Sequence, residues 1–216
     1  HQMTLGGGCE ICLGCDRVQP AAETYIGLVE VGVGLIPAGG GCKELCLRAV
    51  ENIPHDVEVG TLRFIGRAFE TIAAAKVSTS AQEAVDMGIL RAHDRSSPNH
   101  DHRIADAKNL VLGMLKAGYA PPRERRDIRV PGRAGVAALS NIAWTLQQGN
   151  YATEYDLYLA RKVAYVLCGG DVPEGTLVSE QRLLDLEREA FVHLCGQEKT
   201  LARIQHMLTK KKPLRN

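Results

Sequence analysis

The sequence lacks any apolar run long enough to cross a membrane, for which a helix needs about 20 residues. It also lacks an excess of charge of either sign, since 26 Lys and Arg face 25 Asp and Glu in 216 residues. A chain this close to neutrality has no general attraction for nucleic acid or for acidic lipid surfaces. Apolar residues make up 45% of the chain and charged residues 24%, which is typical of a globular domain and excludes a disordered or fibrous chain. We therefore expect neither a membrane span nor a nucleic-acid partner.

The cysteines do not suggest a disulfide framework, because they number seven in a long chain without a secretory segment. We therefore expect a reducing compartment, the cytoplasm. Cys9, Cys12 and Cys15 have the spacing that begins an iron–sulfur motif, but Gln19 stands where the fourth cysteine would be. A small buried helix face explains the three thiols better. The pair His100 and His102 is interpreted as part of a solvated turn with Asp101 as its cap, so we expect no metal.

Composition divides the chain into three segments. Residues 1–118 alternate glycine-rich turns with short helical patterns, residues 119–134 form a linker rich in Pro and Arg, and residues 135–216 read as almost entirely helical. This order predicts an α/β part followed by a helical extension. Spacing of apolar residues predicts helices near 42–50, 62–72, 104–115, 135–148, 153–168, 180–195 and 198–209. Short strands are predicted at 16–19 and 89–90, and a capping box formed by Ser80 and Glu83 begins a helix that ends near Gly88.

The start of the chain is unusual, because it opens at His1 and leaves only residues 2–5 of an apolar strand before a run of glycines. We expect this sequence to be a piece of a larger protein.

Two segments contain candidate catalytic residues. Gly6, Gly7 and Gly8 precede Glu10, and glycines at a helix N-terminus leave backbone N–H groups free to bind an oxyanion. Glu10 could then act as an acid or base on the same ligand. The alternative is a packing turn with a surface glutamate.

The second segment spans residues 25–37, where Glu30 is the only carboxylate in a strongly apolar stretch. Burial would raise its pKa toward neutrality, as a general acid requires. The alternative is an exposed residue on an irregular strand.

Together the two segments resemble the crotonase (enoyl-CoA hydratase/isomerase) superfamily. Its two glutamates are twenty residues apart, as Glu10 and Glu30 are here. The residues that carry the resemblance are Leu5-Gly-Gly-Gly-Cys-Glu10, then Cys15-Asp16, then Gly27-x-x-Glu30-x-x-x-Gly34-x-Ile36-Pro37-x-Gly39-Gly40, and the segment 72–90. The resemblance covers about residues 3–115 and implies a partial crotonase fold, the ClpP-like β-β-α superhelix. Residues 127–216 resemble the C-terminal tail of a bifunctional subgroup, in which a 3-hydroxyacyl-CoA dehydrogenase precedes the crotonase domain.

The resemblance implies a role for each candidate residue. The Gly7 N–H would bind the thioester oxygen, while Glu10 and Glu30 would flank a water, one activating it and the other exchanging the proton at the α carbon. Gly6, Gly34 and Pro37 would complete the substrate-binding residues. Because the family's hydratases keep both carboxylates, hydration of a trans-2-enoyl-CoA in fatty-acid β-oxidation is the favoured activity. Enoyl-CoA isomerisation is an alternative.

The resemblance also implies partners. Coenzyme A thioesters would be substrates, no cofactor would bind these residues, and NAD would belong to the dehydrogenase half of the parent protein. The family's other oxyanion donor is expected upstream of His1. Homo-oligomers, commonly trimers, are expected, and a thiolase is a candidate partner in the parent complex.

A different interpretation makes the helical extension a docking module without turnover. Two apolar stripes support it, one formed by Leu183, Leu186, Ala190, Phe191 and Leu194, the other by Leu201, Ile204 and Leu208. The simpler alternative is that the two stripes pack on each other.

Overall fold

The computed structural model describes residues 1–54 and 59–216, in which helices dominate and strands are short. The strands are β1 (Met3–Leu5), β2 (Tyr25–Gly27), β3 (Ile128–Arg129) and β4 (Leu177–Val178). The helices are α1 (Gly7–Leu13), α2 (Gly41–Val50), α3 (Leu62–Ala73), α4 (Ala81–Asp86), α5 (Arg103–Lys116), α6 (Gly132–Gln148), α7 (Glu154–Leu167), α8 (Glu180–Cys195) and α9 (Glu198–Lys210). Two 3-10 turns, Glu30–Val33 and His100–His102, precede α2 and α5. The structure is thus mixed α/β, as expected.

The helices predicted from apolar spacing are confirmed. In α2 the residues Cys42, Leu45 and Cys46 are buried, and in α3 Ile65 and Phe69 are. Residues three and four apart lie on one face of a helix, so these side chains reach the core together.

The helix α4 begins and ends where the sequence predicted, although its cap differs in detail. The Ser80 hydroxyl accepts the Glu83 amide, as expected, and Gly88 adopts φ +78° past the helix end. The Glu83 carboxylate, however, accepts the amide and hydroxyl of Thr79, so the predicted reciprocal bond to Ser80 is wrong.

The predicted strands at 16–19 and 89–90 are wrong. The Val18 amide donates to the Asp94 side chain instead of to a neighbouring strand. The amides of Ile89 and Leu90 both donate to the Ala84 carbonyl, so these residues complete the end of α4. Apolar residues at a helix end pack into the core without forming a sheet.

The strands β1 and β2 lie side by side in parallel, and Leu5 pairs with Gly27 at their ends. The Gly6 amide continues this pairing with a 2.9 Å bond to the Gly27 carbonyl. Both strands therefore end at the same edge, and the segment that follows each one begins there.

The helical extension shares one core with the first segment. Leu167 at the end of α7 is fully buried, and its carbonyl accepts the Cys46 thiol of α2. In the segment predicted as a linker, Ile128 and Val130 are fully buried, and β3 pairs antiparallel with β4. The division into three segments stays a prediction, since the packing alone does not define domains.

The two apolar stripes of the extension differ in their packing. In α8 the stripe is buried at Leu183, Leu186 and Leu194, but not by packing on the stripe of α9, so the simpler interpretation is wrong. In α9 the helix buries Thr200 and Arg203 and leaves Leu201 and Leu208 exposed, so its apolar stripe does not face the core.

The helix α5 is confirmed, but its apolar side chains are exposed, namely Ile104, Val111, Leu112 and Leu115. Among the described residues no helix is both long and apolar enough to span a membrane.

The close approach at Gly27 gives a stability test. A Cβ there would overlap the Lys76 carbonyl oxygen and lie 3.0 Å from the Val77 Cα. We expect Gly27→Ala to lower the free energy of unfolding by about 1–3 kcal/mol, as overpacking does. Gly113 is the matched control, because nothing lies within 4 Å of a Cβ there and it sits inside α5. Gly113→Ala should raise stability by about 0.5–1 kcal/mol. Denaturant unfolding of both variants is the measurement, and equal changes would refute the close approach.

Candidate active site

The site lies where β1 and β2 end. The helix α1 follows β1 and carries Glu10 one turn from its start, while the 3-10 turn Glu30–Val33 follows β2 closely. Because parallel strands end at the same edge, the carboxylates that follow them come together. The structure thus brings together the two glutamates predicted from the sequence, and the charge of Glu10 contributes to the raised pKa of Glu30.

Glu10 is half-buried and fixed by backbone donors. Its Oε1 accepts the Gly39 amide at 2.7 Å and the Gly41 amide at 3.0 Å. A Cβ at Gly39 would lie 2.7 Å from Glu10 Oε2, and one at Gly41 would lie 2.9 Å from Oε1. Only glycine at these two positions leaves room for this carboxylate.

The environment of Glu30 is apolar and lacks the backbone donors that Glu10 has. Both of its carboxylate oxygens are buried, and neither accepts a well-formed hydrogen bond from the described residues. Burial raises the pKa of Glu30 from 4.5 to about 7, and the charge of Glu10 adds to the rise, while the nearby amides of Glu30 and Val29 offset part of it. The expected raised pKa is confirmed, so a substantial fraction of Glu30 carries a proton near neutrality.

The glycines before Glu10 leave backbone donors accessible. Gly6 has φ +58°, and a Cβ there would lie 3.4 Å from Glu30 Oε1. Gly7 is exposed and is the first residue of α1, so its amide has no acceptor within the helix. Nothing lies within 4 Å of a Cβ at Gly7. An oxygen atom could approach this amide, although its role as an oxyanion donor stays a prediction.

The other predicted binding residues contact neighbouring helices. Gly34 has φ +83° and packs against Thr200, whose Cα would lie 2.9 Å from a Cβ at Gly34. The Pro37 carbonyl accepts the Cys42 thiol at 3.3 Å. Their contact with a substrate stays a prediction.

Glu187 is a residue that the sequence analysis missed. It lies in α8, is fully buried, and accepts the amides of Gly40 at 3.0 Å and Lys43 at 2.5 Å. Burial raises the pKa of Glu187 to about 7, and its two amide donors partly oppose the rise. The sequence signal was a carboxylate between Leu183 and Leu194 on the apolar face of α8.

Two polar residues of α9 hold the turn that carries Glu30. The Thr200 hydroxyl donates to the Gly34 carbonyl at 2.5 Å, and Arg203 donates to the Val31 carbonyl at 3.3 Å. Arg203 also pairs with Asp156 at 2.8 Å. The 3-10 turn is therefore bonded to α9 at its second residue and at the residue that follows it.

The cysteine and histidine motifs were the other candidates. No group of three or more metal-ligating side chains is found in the described residues. The turn at His100–His102 is capped by the Asn99 side chain, which accepts the Asp101 amide, so Asp101 is not the cap as predicted.

The chain is similar to fatty-acid oxidation enzymes. It is 50% identical over 214 residues to "Probable 3-hydroxyacyl-CoA dehydrogenase" of Bacillus subtilis, covering 99% of this chain and 26% of that protein. It is 24% identical over 203 residues to "Putative fatty acid oxidation complex trifunctional enzyme" of Rickettsia prowazekii, covering 94% and 24%. The chain thus spans about a quarter of the length of these curated relatives. No family model matches it.

A solved enoyl-CoA hydratase from Mycobacterium avium subsp. paratuberculosis superposes with a TM-score of 0.52 at 19% identity, covering 100% of this chain and 62% of that chain. At this identity the likeness shows the fold, which is the crotonase fold. The expected fold is therefore confirmed.

The proton on Glu30 can be observed directly. We expect the infrared absorption of a protonated carboxyl group to persist at pH 6 and to disappear through about pH 7, with one component lost in Glu30→Gln. Between about pH 4.5 and 7 the folded protein keeps a proton that the unfolded chain has lost, so this group lowers the free energy of unfolding as the pH rises.

Glu30→Gln should remove the part of this fall in the free energy of unfolding that Glu30 causes. Glu187, whose pKa is also raised to about 7, accounts for a second part. Glu23→Gln, at an exposed position, is the control and should change neither signal. An unchanged spectrum in Glu30→Gln would contradict the assignment.

Proposed function

We propose that the protein containing this chain hydrates trans-2-enoyl-CoA to 3-hydroxyacyl-CoA in fatty-acid β-oxidation. The observation that carries the proposal is the pair of carboxylates at the ends of adjacent parallel strands in unequal environments. Glu10 accepts two amides, whereas Glu30 is buried without a well-formed bond and has a pKa of about 7. Two carboxyl groups in different environments suit one base and one acid.

The geometry suggests how the two roles divide. Glu10 is held by N–H donors and acts as the base, taking a proton from water as the water oxygen bonds to the β carbon. Glu30 is the acid and delivers its proton to the α carbon, which completes the addition of water across the double bond. The net transfer leaves the proton on Glu10 and the charge on Glu30, and exchange with solvent restores both groups. Positioned acid–base groups of this kind contribute roughly 10²–10⁴ to a rate.

The intermediate charge needs a donor at the thioester oxygen. Before Glu30 delivers its proton to the α carbon, the thioester is enolate-like, and its oxygen carries negative charge. The exposed Gly7 amide at the start of α1 suits this oxygen, and loss of one such donor costs on the order of 10²–10³ in rate. Gly6, Gly34 and Pro37 complete the proposed binding residues.

A largely apolar cavity, whose wall also contains charged residues such as Asp156 and Arg203, offers room for an acyl chain as the other part of the substrate. The cavity, of about 550 Å³, lies beside the turn that carries Glu30, and Val31 and Gly32 contribute to its wall. The remaining apolar wall comes from α3, α6 and α7, including Phe69, Leu146 and Leu157. Apolar pockets of this size bind ligands of similar character.

The rest of the protein would contribute the dehydrogenase. Two relatives named for 3-hydroxyacyl-CoA dehydrogenase and for a trifunctional fatty acid oxidation enzyme match this chain over about a quarter of their length. We place NAD binding outside these residues, with a thiolase as a candidate partner. The free thiols of all seven cysteines support a cytoplasmic location. The exposed apolar face of α5 supports association into a homo-oligomer.

The alternatives receive less support. An isomerase moves a proton with one carboxylate, and here a second one, Glu10, is oriented by two amides. A docking module would leave both of its apolar stripes available, yet the stripe of α8 is buried within this chain, and in the stripe of α9 only Leu201 and Leu208 are exposed.

The test is enoyl-CoA hydration, followed by loss of the conjugated thioester absorbance, on the protein that its complete gene encodes. Glu10→Gln and Glu30→Gln should each lower kcat by about 10²–10⁴, because each removes one proton-transfer group. Glu23→Gln should leave the rate unchanged, since its side chain is exposed elsewhere on the surface.

Two results would contradict hydration. An unaltered rate in either variant would remove that glutamate from the chemistry. If the parent protein fails to hydrate but moves the double bond of a 3-enoyl-CoA, isomerisation is the activity, and if it does neither, the docking interpretation takes its place.

A further inference from the structure

We propose that Glu187 is a positioning residue, which holds the turn at residues 39–43 in the arrangement that orients the Glu10 carboxylate. This inference rests on the proposed function, in which Glu10 is the base. It adds to that function a residue of the helical extension that touches neither substrate nor water in the reaction.

The two carboxylates share the amides of one turn. Glu10 accepts Gly39 and Gly41, while Glu187 accepts Gly40 and Lys43. The amides of Gly39, Gly40 and Gly41 therefore point alternately toward α1 and α8, and the Lys43 amide points toward α8. A shift of either carboxylate would thus move the turn that the other one holds.

The turn has no local means of fixing its own amides. The residue before α2 is Gly40, with φ +102°, and it offers no side chain to cap the helix. A run of three glycines has more conformational freedom than any other sequence. The direction of its amides is consequently set by the acceptors that they meet, which are Glu10 on one side and Glu187 on the other.

Within residues 1–54 and 59–216, Glu187 has no ion-pair partner that competes with these amides. The Lys43 ammonium bonds to Glu44 and Glu180, so that only the Lys43 amide contacts Glu187. Glu187 is fully buried, and a buried carboxylate is costly unless its bonds are made. Its two bonds both go to the turn, so any movement of the turn would leave this carboxylate without its donors.

The first experiment compares Glu187→Gln with the exposed neighbour Glu189→Gln in the hydration assay. The amide of glutamine can accept one N–H but turns its own NH₂ toward the other, so one of the two bonds is lost. We expect kcat to fall about 10–100-fold with KM changed less than twofold, since a small misplacement of a catalytic group costs up to about 10²-fold. Glu189→Gln should keep the parent kcat.

A double variant separates positioning from a general effect. If Glu187 acts through Glu10, then Glu187→Gln should have almost no further effect on kcat in a protein that already carries Glu10→Gln. An equal fall in both backgrounds would overturn the proposal. Should Glu187→Gln not fold, Glu187→Asp keeps the charge on a shorter side chain and should show a smaller fall in the same direction.

A measurement without substrate distinguishes failure of this inference from failure of the proposed function. Amide hydrogen exchange at Gly39 and Gly41, the donors to Glu10, should be at least about tenfold faster in Glu187→Gln and unchanged in Glu189→Gln. Unchanged exchange at these two glycines would overturn the inference whatever the activity is. Faster exchange in a parent that does not hydrate would reject the hydratase and retain the link between Glu187 and Glu10. Faster exchange with an unaltered kcat would reject positioning.

Discussion

The pairing of β1 with β2 is the constraint on which the site depends. Each strand has three residues, and the Gly6 amide extends their parallel ladder by one more bond to Gly27. Because the Lys76 carbonyl lies where a Cβ of Gly27 would be, the approach needs glycine at that position. The pairing brings the ends of both strands together, and the elements that carry Glu10 and Glu30 start from there. A shift in register by one residue would separate the two carboxylates.

The different environments of the two carboxylates come from the segments around them. A carboxylate among glycines can reach backbone amides, because no side chain blocks its approach. Glu10 accepts hydrogen bonds from two of these amides. A carboxylate between Val29 and Val31 meets apolar side chains and gains no well-formed bond, so burial dominates its pKa. The charge of Glu10 then raises the pKa of Glu30 further. The closeness of Glu10 therefore adds to the rise in the pKa of Glu30 that burial causes.

Local patterns predicted the helices and both glutamates, because apolar spacing and the glycine motifs involve only residues that are close together in the sequence. The strands at 16–19 and 89–90 were mispredicted because distant or helix-end acceptors, Asp94 and Ala84, take their amides. Glu187 and Arg203 escaped the sequence analysis for a related reason. Their partners, the Gly40 amide and the Val31 carbonyl, lie 147 and 172 residues away, and no local pattern contains such a pair.

The polar contacts of α8 and α9 connect these helices to the turns of the site. Leucines on α8 could pack in several registers, since apolar contacts are not directional. Glu187, Thr200 and Arg203 are each buried, and each would leave an unsatisfied polar group if its helix moved along its axis. Their bonds to the turns at residues 31–43 are made in one register. The buried polar groups thus fix the helices relative to the turns, and through the turns they fix both carboxylates.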